Sequence, residues 1–185
     1  MSAQAPAHRP APRRVCVLGA ECTGKTTLAQ ALAQRLGGLY VPEALRDWCA
    51  RKGRTPQRHE QAQLVALQLR LQRRAMALAR RRGLPWVVLD TSILMTAVYS
   101  LHYFQDARLL ARALREQRRF DLTLVLPPDL PWVADPGQRD GPAARAAVHR
   151  QLLALASRHP HWLLLDAAGQ RLAQACAAIQ ARTTG

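Results

Sequence analysis

The chain has 185 residues, 49% of them apolar and 5% aromatic, and a formal net charge of +15. That length suffices for one domain with a real core, while no apolar run nears the roughly 20 residues a membrane span needs, and the opening MSAQAPAHRPAPRR lacks the apolar stretch of a secretory signal. Lys25 and Lys52 are the only lysines, so the excess charge is arginine, read here as solvated helix faces rather than a nucleic-acid footprint.

Residues 1–13 read as a disordered Pro/Ala/Arg lead-in, and 14–185 as one domain. From there short apolar runs alternate with longer amphipathic ones, the pattern of a parallel sheet wrapped by helices. Strands are expected at Val15–Leu18, Leu39–Val41, Trp86–Asp90, Leu122–Leu126 and Trp162–Asp166. A helix is expected over Thr26–Leu36, ended by Gly37-Gly38. The longest helix runs from about Gln57 to Arg82, with Leu64, Leu67, Leu71 and Leu78 on its apolar stripe and Val65, Leu69 and Met76 widening it. Further helices fall near Ser92–Tyr103, Asp106–Arg118 and Ala143–Ser157. Between the last two strands, PPDLPWVADPGQRDGPAAR is rich in Pro, Gly, Asp and Arg and reads as a mobile lid. Cys16, Cys22, Cys49 and Cys176 form no CxxC pair, which argues against a zinc site or disulfide framework and for a reducing, cytoplasmic setting.

Gly19-Ala20-Glu21-Cys22-Thr23-Gly24-Lys25-Thr26 matches GxxxxGK[ST] at every fixed position, with a strand before it and a helix after it. The glycines let successive backbone N–H groups face one anion, and the helix start adds its dipole. Lys25 is expected on the β- and γ-phosphates of ATP and Thr26 on Mg²⁺. Thr27 completes the nucleotide-binding run. Glu21 and Cys22 are not fixed by the motif; Cys22 reads as a small loop residue.

In open parallel sheets ligands bind beyond the carboxyl ends of the strands. Glu43, with Arg46 and Asp47 beside it, follows the second strand and is placed to take a proton from an acceptor hydroxyl; the plainer reading is a surface partner for Arg46. Asp90 ends the third strand in a Walker-B-like position, as a metal ligand or as the N-cap of the next helix. Asp135 and Asp140 lie in the lid, with Arg139 and Arg145 as cations that could reach a transferring phosphoryl and Trp132 as an aromatic to stack or anchor. His149, His159 and His161 lack metal-ligand spacing and read as surface residues; Asp166 reads as a strand end with no further task.

The loop G-A-E-C-T-G-K-T-T-L, PEALRDW after the second strand, VLDTSILMTAVY at the third, and FDLTLVLPPDLPWVADPGQRDGP resemble the NadR-type ribosylnicotinamide kinases over roughly residues 14 to 180. The resemblance implies a P-loop NTPase of the α/β class, nucleoside-monophosphate-kinase-like, with a five-stranded parallel sheet and a lid. It implies phosphorylation of nicotinamide riboside to nicotinamide mononucleotide with ATP and Mg²⁺. It places Lys25 and Thr26 on ATP-Mg²⁺, puts Glu43, Arg46 and Asp90 in the nucleoside cleft, and assigns Trp132, Asp135 and Arg139 to the lid. Ser92 stands where relatives often carry aspartate, and Pro136 where they usually carry glycine. The kinase is expected alone, without the nucleotidyltransferase and DNA-binding domains of some relatives.

Two other readings stay open. One is a P-loop kinase of the same architecture with another nucleoside or metabolite as acceptor. The other, placed last, is a nucleic-acid-associated ATPase using the basic surface, because Asp90 is followed by Thr91 rather than by the glutamate such enzymes favour. Oligomeric state is not written in the sequence.

Overall fold

The computed structural model describes residues 10–133, 141–159, 161–166 and 168–183. Asp135, Pro136, Arg139 and Asp140 of the expected lid lie outside the described residues.

Five parallel strands form one sheet: β1 (Arg13–Leu18), β2 (Leu39–Val41), β3 (Trp86–Asp90), β4 (Leu122–Val125) and β5 (Trp162–Leu164), in the order β2-β3-β1-β4-β5. β1 and β3 are in register from Arg13 opposite Trp86 to Val17 opposite Asp90, and β1 and β4 from Val15 opposite Leu122 to Leu18 opposite Val125. The apolar runs are continuous because both faces are covered. Val15 and Val17 point to one side, with Leu28, Leu32 and Ile179. Cys16 and Leu18 point to the other, with Leu94, Val98 and Leu152.

Helices α1 (Lys25–Arg35) and α7 (Arg171–Ala181) supply the first layer. Helices α3 (Gln61–Arg82), α4 (Ile93–Phe104), α5 (Leu110–Gln117) and α6 (Pro142–Ala156) lie on the opposite face. A short helix α2 (Ala44–Lys52) packs on α3 through Ala44 and Trp48. α1 ends as expected, with Gly37 and Gly38 donating to the carbonyls of Gln34 and Ala33, and α3 ends at Gly83, φ 66°, whose left-handed turn lets Leu84 bond back to Ala79.

The buried face of α3 includes Leu64, Val65 and Leu69 of the expected stripe and adds Gln68, Ala75 and Ala79 to it. Leu67 and Leu71 are half-buried flanking positions, Leu67 against α2 and Leu71 against both α2 and the sheet. The physical reason is that α3 meets three neighbours, so its buried face is broad: Val65 and Leu69 pack with α4, Ala75 and Ala79 with β2 and β3, and Leu64 with α2. Gln68 takes the middle of that face because its carboxamide oxygen accepts the Ala44 N–H at 2.7 Å, satisfying a donor at the start of α2.

Candidate functional site

The loop between β1 and α1 is shaped by close approach. A Cβ on Gly19 would sit 2.6 Å from Thr23 Oγ1 and 3.2 Å from the carbonyl oxygen of Leu126, so only glycine fits. Cys22 and Gly24 both take left-handed backbone, φ 53° and 80°, a turn that glycine adopts freely and cysteine at a cost. The loop closes on itself: Thr23 Oγ1 donates to the Ala20 carbonyl at 2.9 Å, and Lys25 Nζ to the same carbonyl at 2.8 Å. Thr26 and the exposed Thr27 stand in the first turn of α1, where unpaired N–H groups and the helix dipole favour an anion.

Asp90 faces this turn from the end of β3. Thr26 Oγ1 donates to its Oδ2 at 2.6 Å, and the Tyr40 hydroxyl to the same oxygen at 3.1 Å. Asp90 is 1% exposed, and its Oδ1 is buried with no partner among the described residues. Burial, reinforced by Asp90, pushes the Tyr40 hydroxyl well above the ordinary tyrosine pKa, so it stays a donor. The N-cap reading of Asp90 is corrected here. Ser92 caps α4, its Oγ accepting from Leu94 N at 3.2 Å. Ser92 Oγ also donates to Gln117 at 2.6 Å, and Gln117 to Thr123 at 2.8 Å. Ser92 therefore belongs to a buried polar chain and not to the cleft.

A cavity of about 350 Å³ opens beside Lys25. Glu21, Cys22 and Lys25 form its phosphate-loop wall, and Glu43, Leu45 and Arg46 another. Met95, Thr96, Tyr99, Tyr103 and Phe104 contribute the α4 side, and Thr91 joins them from the end of β3. Tyr99 donates to Glu21 Oε2 at 3.2 Å, and burial together with the Glu21 carboxylate raises its pKa. Burial also raises the Glu43 carboxyl, with Lys25 opposing and Asp90 reinforcing the shift. Glu43 is thus a shielded cavity wall and not merely a surface partner of Arg46. A larger cavity of about 500 Å³, lined by Arg13, Arg14, Arg73, Arg80 and Arg119, lies beside the amino ends of β1 and β4, away from this chemistry.

Trp132 is half-buried beyond β4, outside the lining of the cavity, with its Nε1 sealed and unpartnered among the described residues. Its neighbour Val133 is tied to the phosphate loop: Val133 N donates to Cys22 Sγ at 3.4 Å, and Sγ donates to the Val133 carbonyl at 3.5 Å. Cys22 is therefore more than a small loop residue. Arg145 Nη1 donates to the Leu130 carbonyl at 2.8 Å. Asp135 and Arg139 lie outside the described residues. Of the histidines, His161 is exposed, His159 stacks on Trp162 with ring centroids 5.0 Å apart, and His149 is half-buried, its pKa lowered by that burial.

Several contributors have no counterpart in the sequence reading: Tyr40 on Asp90, the α4 wall that includes Tyr99, and Thr91 and Arg171. Tyr99 had a signal, since Met95, Thr96, Tyr99 and Tyr103 recur at helical spacing. Thr91 has left-handed backbone, φ 72°, while its N–H extends the sheet by bonding to the Val17 carbonyl at 3.0 Å. Arg171, 5% exposed at the start of α7, joins the phosphate loop to the segments after β4 and β5, including the carbonyl of Asp166, a strand-end residue expected to have no further task.

The donor set fits a hard cation of phosphate sites. Such a cation takes one or two protein oxygens and completes its shell with phosphate and water. Thr26 Oγ1 and Asp90 Oδ1, which has no partner among the described residues, would supply those oxygens. Among the described residues no cluster of three or more His, Cys, Asp or Glu is able to hold a metal, and no helix is long and apolar enough to cross a membrane.

No curated protein matches the sequence. In fold, the chain is similar to NadR protein in complex with NR (TM-score 0.74, 22% identity, 95% of this chain and 52% of that one). It is likewise similar to NadR protein in complex with NAD and AMP-PNP (TM-score 0.70, 20% identity, 95% and 50%). It thus spans about half the length of those NadR chains. Thymidylate kinase from Ehrlichia chaffeensis matches over its whole length (TM-score 0.67, 14% identity, 92% and 100%). These likenesses establish a P-loop kinase fold. The AAA domain family, in the form described by the AAA_28 model, matches residues 14–171, and with the phosphate loop and the parallel sheet around it the chain belongs to that family.

Proposed function

We propose that the protein transfers the γ-phosphoryl group of ATP to the ribose 5′-hydroxyl of nicotinamide riboside, giving nicotinamide mononucleotide and ADP. The observation that carries the reading is the cavity beside Lys25, where two carboxylates, Glu21 and Glu43, face an aromatic wall of Tyr99, Tyr103 and Phe104. The two acids offset Lys25 and Arg46 in the same lining and supply counter-charge for a cationic ligand, and a pyridinium is a flat cation suited to that wall. The likeness to NadR protein in complex with NR supports the same acceptor.

In this reading the loop 19–26 and the first turn of α1, through Thr27, hold the nucleotide's phosphates by backbone N–H groups. Lys25 leaves the Ala20 carbonyl to pair with the β- and γ-oxygens. Thr26 and Asp90 would hold Mg²⁺, which when bound neutralises charge on those phosphates. Glu43 accepts the proton of the acceptor hydroxyl as its oxygen bonds to the γ-phosphorus and the bond to the β-phosphate oxygen breaks. A carboxyl lifted by burial suits that task, because its basicity lies closer to the working pH. Arg46 lines the acceptor side. Trp132, with Asp135 and Arg139, would belong to the cover that keeps water from the γ-phosphate.

The test is ADP release from ATP-Mg²⁺ across an acceptor panel of nicotinamide riboside, common nucleosides, deoxynucleosides and nucleic acid. Release with nicotinamide riboside, abolished by Lys25→Ala, is expected. Turnover with another nucleoside alone moves the assignment to a different small-molecule kinase, and turnover only with duplex DNA rejects it.

A further inference from the structure

Arg171 is an expensive residue to bury. A guanidinium out of water costs several kcal/mol unless every N–H is answered, and this one is answered by three separate segments. Its Nη1 donates to the Thr23 carbonyl at 2.7 Å. Its Nη2 donates to the Pro127 carbonyl at 3.4 Å and pairs with the Asp129 carboxylate. Its Nε donates to the Asp166 carbonyl at 3.3 Å. The shortest of the carbonyl contacts is the one to the phosphate loop.

That contact has a geometric consequence. In a planar trans peptide the C=O and the following N–H point to opposite sides. Holding the Thr23 oxygen on the guanidinium therefore turns the Gly24 N–H away from it. Gly24 sits at φ 80°, where the barrier to reorienting the preceding peptide is low because no side chain resists it. Left alone, the Thr23–Gly24 peptide is free to turn its carbonyl toward a bound phosphate, where it repels.

We propose that Arg171 is a positioning residue for the phosphate cradle: it fixes the Thr23–Gly24 peptide so that the Gly24 N–H faces the nucleotide's phosphates. It does so from outside the nucleotide site, through one main-chain oxygen, with Asp129, Pro127 and Asp166 holding the guanidinium in place. The inference rests on the nucleotide-binding half of the proposed function and is indifferent to the acceptor.

Calorimetric titration with ADP-Mg²⁺ and with tripolyphosphate, on wild type, Arg171→Met and Arg171→Lys, tests it. Arg171→Met is expected to weaken both ligands by about tenfold or more, the worth of a charge-assisted hydrogen bond, with far-UV circular dichroism preserved. Arg171→Lys, still charged and able to reach one carbonyl, is expected to recover part of that loss. A merely structural arginine would lower the melting temperature and leave both dissociation constants unchanged, which overturns the proposal. Loss of ADP binding without loss of tripolyphosphate binding also overturns it, since Arg171 would then act at the nucleoside end. If Arg171→Met does not fold, Arg171→Lys decides: wild-type affinity for both ligands, with the Thr23 contact shown broken by structure, rejects the inference. Wild type that binds ADP but phosphorylates nothing would end the kinase reading and leave this one standing. Wild type that binds neither ligand ends both.

Discussion

Thr26 and Asp90, 64 positions apart, meet through a 2.6 Å hydrogen bond that joins the first turn of α1 to the end of β3. The bond occupies one carboxylate oxygen and leaves the other buried without a partner among the described residues. A lone charged oxygen in that setting costs stability and is kept only where something else requires it.

Asp90→Asn is therefore expected to separate stability from turnover. The unfolding free energy should stay level or rise by about 1 kcal/mol, because a buried charge is removed. Turnover in the proposed reaction should fall about 100-fold, because the carboxylate proposed to hold the cation on the phosphates is lost. Denaturant unfolding beside an ADP-release assay checks both.

Glu43 gives a pH signature. Its carboxyl is raised by burial, so between the ordinary glutamate value and the folded one the native state binds more protons than the unfolded state. Stability from this group is full below the ordinary value and is lost as pH rises through the folded one. Glu43→Gln should flatten that descent in a pH series of unfolding curves. With Glu43 as the base of the proposed reaction, activity runs the opposite way: the base must be deprotonated, so wild-type turnover is expected to fall as pH drops through the raised value. Glu43→Gln should lose that limb and about 10²–10⁴ in rate.

Glu21 offers a test of acceptor charge. Tyr99 holds its carboxylate on the cavity wall at 3.2 Å. Glu21→Gln should raise KM for cationic nicotinamide riboside about tenfold, roughly 1.4 kcal/mol, while KM for a neutral nucleoside that is also turned over changes less than threefold. Equal changes for both would mean that the carboxylate shapes the pocket without reading charge.

Ser92 should matter for folding and little for chemistry. It caps α4 and feeds the buried chain through Gln117 to Thr123. Ser92→Ala is expected to cost about 1–2 kcal/mol in urea unfolding with KM for both substrates unchanged.

The strands and the phosphate loop were legible because their signals are local. β3 is apolar throughout since both its faces are covered, and GxxxxGK[ST] dictates its own turn. The stripe of α3 is legible only in part, since periodicity marks which residues are apolar but not which of three neighbours each will meet. Leu67 packs with α2 and Leu71 with both α2 and the sheet, while Gln68, polar in type, is buried for the sake of one main-chain donor. Ser92, directly before Ile93, carried a cap signal as good as that of Asp90. Arg171 carried none. One arginine among so many is singled out only by folding, which brings Thr23, Asp129 and Asp166 around it.

Because every strand runs the same way, the sheet has two rims with different obligations. The loop after β1, Glu43, Asp90 with Thr91, Pro127 and Asp166 all leave from one of them. The other carries return turns, such as residues 83–85 before β3 and 118–121 before β4, and the arginine-lined cavity beside them. Insertions, epitope tags or surface attachment points should be tolerated at that second rim with catalysis intact, whereas a single added residue at the first shifts several partners at once.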